Sequence, residues 1–386
     1  MLYGLMSYNY TINLGNEIQS IAARQFIPKI DCYIDHEKIH LFKNPQKVKM
    51  IMNGWYLDCL DAWPPSEDII PLLISMHFNT SVNSTRDIIL SDESRDYFSS
   101  YGPVGCRDHS TLAVLEEKDI DAYYSGCLTL TLKSQKREND FKYVVVNSNK
   151  SDEIIDYLKT KTDLPVYNVN QVTPLSYHKK YLENIDLNQK MTSFYRCDEK
   201  FLIAENLLNI YDNASCVITD RMHAALPSLA LNTPVLFINS SEYGLERLEG
   251  ISRLVRETTL EEYENDISIF DVENPPKNPK EYLKIRENLI KKVKSFTGHI
   301  SDSYAVYSDF QQSLSNKLLI SRTYDETKNY MSNVNLINST NTKKIRAQEK
   351  LIEKQQKTIE KQEMIIREME NSSRWKFQNP LRKLKK

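Results

Sequence analysis

Short apolar runs alternate with longer amphipathic stretches along the chain. The run Leu2–Ser7 predicts a first β-strand. Over residues 15–26 the apolar positions Ile18, Ile21, Ala22 and Phe26 recur at helical spacing, and Pro28 ends the pattern. Residues 48–52 and 71–76 predict two more strands, the first closing on Asn53-Gly54-Trp55-Tyr56 and the second on His77. A helix over 91–101, a strand over 103–106, a helix through Glu117 and a strand over 121–124 follow. The polar run 133–140 holds no large apolar residue and reads as an inter-domain linker.

A second alternation starts at residue 141. Strands are expected over 141–146 and 166–169, with a helix over 151–160 between them and helical stretches from 176 to 211. Cys216-Val217-Ile218 predicts a buried strand, followed by a helix from Ala224 with Pro227 in about its first turn. Residues 235–238 predict the next strand, and 279–296 a last helix. The fold class expected is therefore α/β, with two Rossmann-like domains facing each other over a cleft, 1–132 and 141–298.

Beyond residue 298 the pattern changes. A polar connector covers 299–342. Ile345, Ile352, Ile359 and Ile366 then fall seven apart, with Gln348, Gln355, Gln362 and Met369 three positions after each. That register predicts an α-helical coiled coil over 343–370 and hence a homo-oligomer, whose order the Gln seam leaves open, with a lone solvated helix as the alternative because Gln weakens the seam. In 371–386, Trp375, Phe377, Leu381 and Leu384 interleave with cations and no acid occurs, as in an interfacial amphipathic tail.

Charge sharpens this division. The stretch 343–386 carries 14 Lys/Arg against 6 Glu, although the whole chain has a formal net charge of −2. An acidic body argues against nucleic acid as its partner, and the basic tail points to an anionic surface, either a membrane such as the inner face of the plasma membrane or a charged polymer, with a plain soluble helix as the alternative. Six cysteines show no C-x-x-C pairing and no zinc-like spacing with histidine, so no metal is expected. With no signal-like segment before the first strand and no apolar run of about 20 residues, a cytoplasmic, reduced setting is expected. Glycine-rich phosphate loops are absent, so a phosphate would rest on side chains and helix ends.

Candidate chemistry clusters where strands give way to helices. Arg221 and His223 lie between the strand at 216–218 and the following helix, where helix amides and dipole favour an anion. Arg107 and Asp108 repeat the arrangement after the strand at 103–106, with a plain surface salt bridge as the alternative. Asn16 and Gln19, with Asn13, either hydrogen-bond a polyhydroxy ligand or cap and solvate the first helix. Trp55 beside Asn53 and Gly54 either stacks on a sugar ring or packs between elements, and His77 is either structural or catalytic. Residues 240–250 supply Tyr243 and Arg247.

Three stretches together resemble the polysaccharide pyruvyl transferase family: NLGNEIQSIAA (13–23), GCRDHSTLAVLEEKDIDAYYSGCLTLTL (105–132) and ITDRMHAALPSLALNTPVLFI (218–238). The resemblance implies a GT-B-like pair of domains, with an acceptor side in 1–132, a donor side in 141–298 and phosphoenolpyruvate as the donor substrate in place of any cofactor. It implies a donor site at Arg221 and His223, an Arg-Asp motif at Arg107 and Asp108, and a third basic residue for which Arg247 is the candidate. The early Gly-Asp of many members appears here as Gly15-Asn16. Ser373-x-Trp375 and Pro380-Leu381-Arg382 are similar to the tails of some surface-polysaccharide glycosyltransferases. The expected activity is transfer of pyruvate, as a ketal, to a sugar of a cell-surface polysaccharide or its precursor, free or lipid-linked. Arg221 and Arg107 would clamp the donor, and His223 would move the proton. Two alternatives stay open: a GT-B-type glycosyltransferase using a nucleotide sugar, or a non-catalytic scaffold of a polysaccharide-assembly complex.

Overall fold

The computed structural model describes residues 1–8, 11, 13–57, 59–135, 141–172, 197–239, 250 and 253–304. The chain divides into two compact units, Met1–Tyr324 and Asp325–Lys386. The expected coiled coil and basic tail lie in the second, outside the described residues, as do residues 136–140 of the expected linker.

The first half of the described chain builds a six-stranded parallel sheet. Its elements are β1 (Leu2–Ser7), α1 (Leu14–Arg24), β2 (Cys32–Asp35), β3 (Val48–Tyr56), β4 (Ile69–Phe78), α2 (Asn83–Ile89), α3 (Asp92–Tyr101), β5 (Val104–Cys106), α4 (His109–Glu116) and β6 (Ala122–Tyr124). The strand order is β2-β1-β3-β4-β5-β6. The second half builds a five-stranded parallel sheet from β7 (Val144–Asn147), β8 (Val166–Asn168), β9 (Cys216–Thr219), β10 (Val235–Ile238) and β11 (Arg256–Thr258), in the order β11-β10-β9-β7-β8. Its helices are α5 (Ser151–Lys159), α6 (Cys197–Asn213), α7 (Met222–Ala230), α8 (Leu260–Asn265) and α9 (Tyr282–Thr297). This is the expected α/β architecture of two parallel sheets.

Alternation along each strand sorts its side chains into separate cores. In β7 and β9, Val145 and Val217 turn to one core, while Val144, Val146, Cys216 and Ile218 turn to another. In β3, Ile51 joins the first core and Met50 and Met52 an outer one. The first core is common to both sheets. It unites Ile18 and Ile21 of α1, Leu128 and Leu130 of a 3-10 turn, Leu207 and Leu208 of α6, and Leu226 and Leu229 of α7. The helices α1, α6 and α7 are thus buried against one another between the two sheets.

Several elements differ from expectation. Strands β3 and β4 run on through Tyr56 and Phe78, so Asn53, Trp55 and His77 lie within strands rather than beyond them. The strands β2 and β11 and the helices α2 and α8 are short elements without a strong period, and the sequence did not announce them. Pro227 falls in the second turn of α7, not the first. Lacking an N–H, it cannot close the ladder back to residue 223, and the helix absorbs this near its start. The part of the expected linker that is described is fastened down: Ser134 Oγ and Gln135 N both donate to the buried carboxylate of Asp212.

The last helix reaches back across the molecule. Arg286 of α9 donates to the carbonyls of Ala230 and Leu132, one in each half of the chain. Near its C-terminus, Lys49 Nζ donates to Phe296 O at 2.8 Å and Tyr3 Oη to Thr297 O at 3.2 Å. Gly298 ends the helix in the left-handed region, φ 73°, where a glycine costs least.

Candidate active site

Both sheets are parallel, so each presents its carboxyl edge on one side, and the two edges meet at the start of α1. Asn13 caps this helix, its Oδ1 accepting from Gly15 N at 3.0 Å. The next free amide, Leu14 N, donates to Gln171 O at 2.9 Å, just past the end of β8. Gly15 is wedged against the second half of the chain: a Cβ built on it would lie 2.2 Å from Gln171 Nε2 and 2.8 Å from His223 Nδ1. A hydrogen is the only side chain that lets the two edges approach this closely.

On the edge of the second sheet, Thr219 locks the end of β9. Its hydroxyl donates to Asn147 O of β7 at 2.6 Å and accepts from Arg221 N at 2.9 Å. The buried Asp220 accepts from Asn149 N at 2.9 Å, and Arg221 Nε lies 3.4 Å from the other Asp220 oxygen. Arg221 also donates to Asn149 Oδ1. Its side chain is 44 % exposed and stands at the N-terminus of α7, where no side chain caps the helix amides. Arg221, the N-cap, and His223, two residues further on, are thus held on a helix start that already favours anions.

On the edge of the first sheet, a backbone irregularity sets the site. Between Met52↔Leu73 and Gly54↔Met76 the register of β3 and β4 shifts, so Ile74 and Ser75 together oppose Asn53. Ser75 sits at φ 55°. This bulge sends Met76 and Phe78 to the outer core, and it turns His77 to the α1 side with Asn53 and Trp55. There His77 Nδ1 meets Asp108 Oδ2 at 2.5 Å, and its ring lies edge-on to Trp55, with centroids 4.5 Å apart. Asp108 also caps α4, accepting from Thr111 N at 2.9 Å and Ser110 Oγ at 2.8 Å. Burial by itself would raise the Asp108 carboxyl. The His77 hydrogen bond and charge, the Arg107 charge and the Thr111 amide outweigh it, and hold the carboxyl below its usual range.

Arg107 is buried, 4 % exposed, at the end of β5. Its Nη1 donates to Gln19 Oε1 at 3.2 Å, and its Nε is 3.9 Å from Asp108 Oδ2. Gln19 O in turn accepts from Asn53 Nδ2 at 2.9 Å, and Gln19 Nε2 reaches Asn16 Oδ1 at 3.4 Å. One face of α1 therefore carries a polar path from Gly15 beside His223, through Asn16 and Gln19, to Arg107, Asp108 and His77. The structure brings together Asn16, Gln19, Asn53, Trp55, His77, Arg107 and Asp108 along this edge, and places Arg221 and His223 on the opposing one. Tyr243 and Arg247 lie outside the described residues.

Three supporting residues were not anticipated. Lys200, on α6, passes its ammonium into the first half, donating to Tyr8 O at 2.6 Å and Thr11 O at 2.9 Å and pairing with Glu17 Oε1 at 2.5 Å. Burial raises the Glu17 carboxyl, and Lys200 only partly offsets it. Gln171 joins the edges as described. Lys200 sits in a charged stretch of sequence that reads as a solvated helix face, so no local signal marks it.

Residues 13–242, more than half of the chain, match the sequence profile described as polysaccharide pyruvyl transferase. The chain belongs to the polysaccharide pyruvyl transferase family. The match opens at Asn13, the cap of α1, and contains both sheet edges described above. No curated protein sequence matches the chain. Among solved structures, a functionally uncharacterized protein from Klebsiella pneumoniae is similar at 16 % identity and a TM-score of 0.39, over 65 % of this chain and 88 % of that one. A UDP-GlcNAc 2-epimerase from Methanocaldococcus jannaschii, solved with UDP-GlcNAc and UDP, is similar at 12 % identity and a TM-score of 0.41, over 76 % of this chain and all of that one.

Proposed function

We propose that the protein transfers the pyruvyl group of phosphoenolpyruvate to two hydroxyls of one sugar of a polysaccharide or its precursor. Both oxygens bond to C2 of the donor, the bond from C2 to the phosphate ester oxygen breaks, and C3 gains a proton to become a methyl. One hydroxyl proton thus ends on C3 and the other leaves with phosphate, and no oxidant or reductant is needed.

The observation that carries this reading is the junction itself: Arg221 and His223 stand at the N-terminus of α7, with His223 against the start of α1 from the opposing sheet edge. The donor carries a phosphate and a carboxylate. A half-exposed guanidinium at an uncapped helix start supplies planar paired donors and a favourable dipole for either group. His223 is the group at this junction that can relay a proton near neutral pH, either toward C3 or toward the departing phosphate. Arg221 opposes the charge that develops on the leaving phosphate.

Isothermal titration with phosphoenolpyruvate tests the donor site. Wild-type protein is expected to bind it, and Arg221→Ala to lose that binding while melting at an unchanged temperature. Equal binding by both proteins would place the donor elsewhere. Binding of nucleotide sugars in its place would move the assignment to glycosyl transfer.

A further inference from the structure

We propose that Arg107 and Asn53 form a hydroxyl-reading subsite for the acceptor sugar, which departs from the donor role that the family resemblance suggests for Arg107. The proposal rests on the reading of pyruvyl transfer at this junction.

Both side chains are almost fully withdrawn from solvent, at 4 % and 2 % exposure. Each is anchored by one bond to Gln19: Arg107 Nη1 to its Oε1, and Asn53 Nδ2 to its backbone carbonyl. Those anchors leave Arg107 Nε and Nη2 and Asn53 Oδ1 with no hydrogen-bond partner among the described residues. Buried polar atoms are nearly always paired in native structures, so two such residues tied to the same glutamine mark a place built for something else to bind.

The chemistry of that ligand follows from the atoms left over. Arg107 offers N–H donors, and Asn53 offers an acceptor. A sugar hydroxyl accepts and donates at once, and neighbouring hydroxyls can serve both residues. Phosphoenolpyruvate brings oxygens but no hydroxyl, and would leave Asn53 Oδ1 as it is. The ionised Asp108, with Oδ2 at 3.9 Å from Arg107 Nε, also disfavours a second anion there. Trp55, on the same face of β3 two residues beyond Asn53, adds a half-buried aromatic surface suited to the C–H faces of a pyranose. The subsite lies on the edge of the first sheet, joined to His223 through the Gln19–Asn16–Gly15 face of α1.

Saturation-transfer NMR with the methyl glycosides of galactose, glucose, mannose and N-acetylglucosamine tests this, run on wild-type protein, Arg107→Lys and Asn53→Ala. Phosphoenolpyruvate titration and thermal unfolding are measured beside it. The expected result is saturation of at least one glycoside by wild-type protein and its loss in both variants, with donor binding retained. Asn53→Ala keeps the test decisive if Arg107→Lys fails to fold. Saturation that survives in the folded variants overturns the proposal, as does its absence in wild-type protein. Loss of phosphoenolpyruvate binding in Arg107→Lys with glycosides still bound would return Arg107 to the donor. A wild-type protein that binds glycosides but no phosphoenolpyruvate sinks the donor reading, while loss of glycoside binding in the variants would still uphold the subsite.

Discussion

Asp108 does two structural jobs with one carboxylate, capping α4 and holding His77, beside the guanidinium of Arg107. Its folded-state pKa is depressed, so the ionised form favours the fold. The sign follows: the stabilisation is complete above the ordinary carboxylate value of about 3.9 and is lost as pH falls from there through the depressed folded value. Asp108→Asn keeps an oxygen for the cap but leaves Arg107 and His77 without a counter-charge. We expect it to lose roughly 3 kcal/mol at pH 7, by analogy with other broken buried pairs. The same variant should lose less additional stability than wild type on acidification below pH ~4. Urea unfolding at both pH values checks this, and parallel acid dependence in the two proteins would show that Asp108 is not the titrating group. At this scale the sequence was informative, because Arg107-Asp108 and Arg221-x-His223 stand out as charged groups abruptly following apolar runs. It did not show that Asp108 would take His77 as its partner, since that pairing is across 31 positions of chain.

Among the elements, the bulge in β4 shows why local pattern stops short of a site. Strict alternation puts Leu73, Ser75 and His77 on one face. The extra residue opposite Asn53 reverses this, leaving Leu73 in the outer core and His77 beside Asp108. Ser75 carries no glycine-like signature of its left-handed φ, so the irregularity is invisible until β3 and β4 are paired. A second tie between elements is the ammonium of Lys200, which binds α6 to the carbonyls of Tyr8 and Thr11 and to Glu17 of α1. Lys200→Met should be destabilised by about 3–5 kcal/mol, because it strands a buried carboxylate and two carbonyls. Adding Glu17→Gln should recover part of that loss, since a neutral side chain then occupies the buried position. Denaturant unfolding of the two single variants and the double variant measures the coupling. Strictly additive effects would mean that the pair is not the link between these elements.

On the scale of the whole molecule, one apolar core runs between the two sheets, and α9 clasps both halves of the chain. The polar run at 133–135 is therefore pinned against Asp212 rather than free between independent bodies. Among the described residues no helix is long and apolar enough to cross a membrane. For the segment beyond them, we propose that 343–370 oligomerises and that 371–386, with its cations and interleaved Trp375 and Phe377, binds an anionic lipid surface. Removing 371–386 should abolish co-sedimentation with vesicles containing phosphatidylglycerol and leave phosphoenolpyruvate titration as it was. Continued sedimentation of the truncated protein would place membrane affinity elsewhere.

The alternation of apolar runs and helical periods by itself determined the α/β class, the two sheets and the strand-to-helix junctions where Arg107, Arg221 and His223 would stand. Those features follow from local rules: a buried parallel strand must be apolar, and a helix start leaves its amides free. Tertiary structure alone decided which junctions meet. The contact of Gly15 with His223, the turn of His77 toward Asp108 and the pairing of Lys200 with Glu17 of α1 each depend on pairing register and on helix packing between distant segments. Such contacts are set by how whole faces fit together, and a single strand or helix carries no record of the surface it will meet.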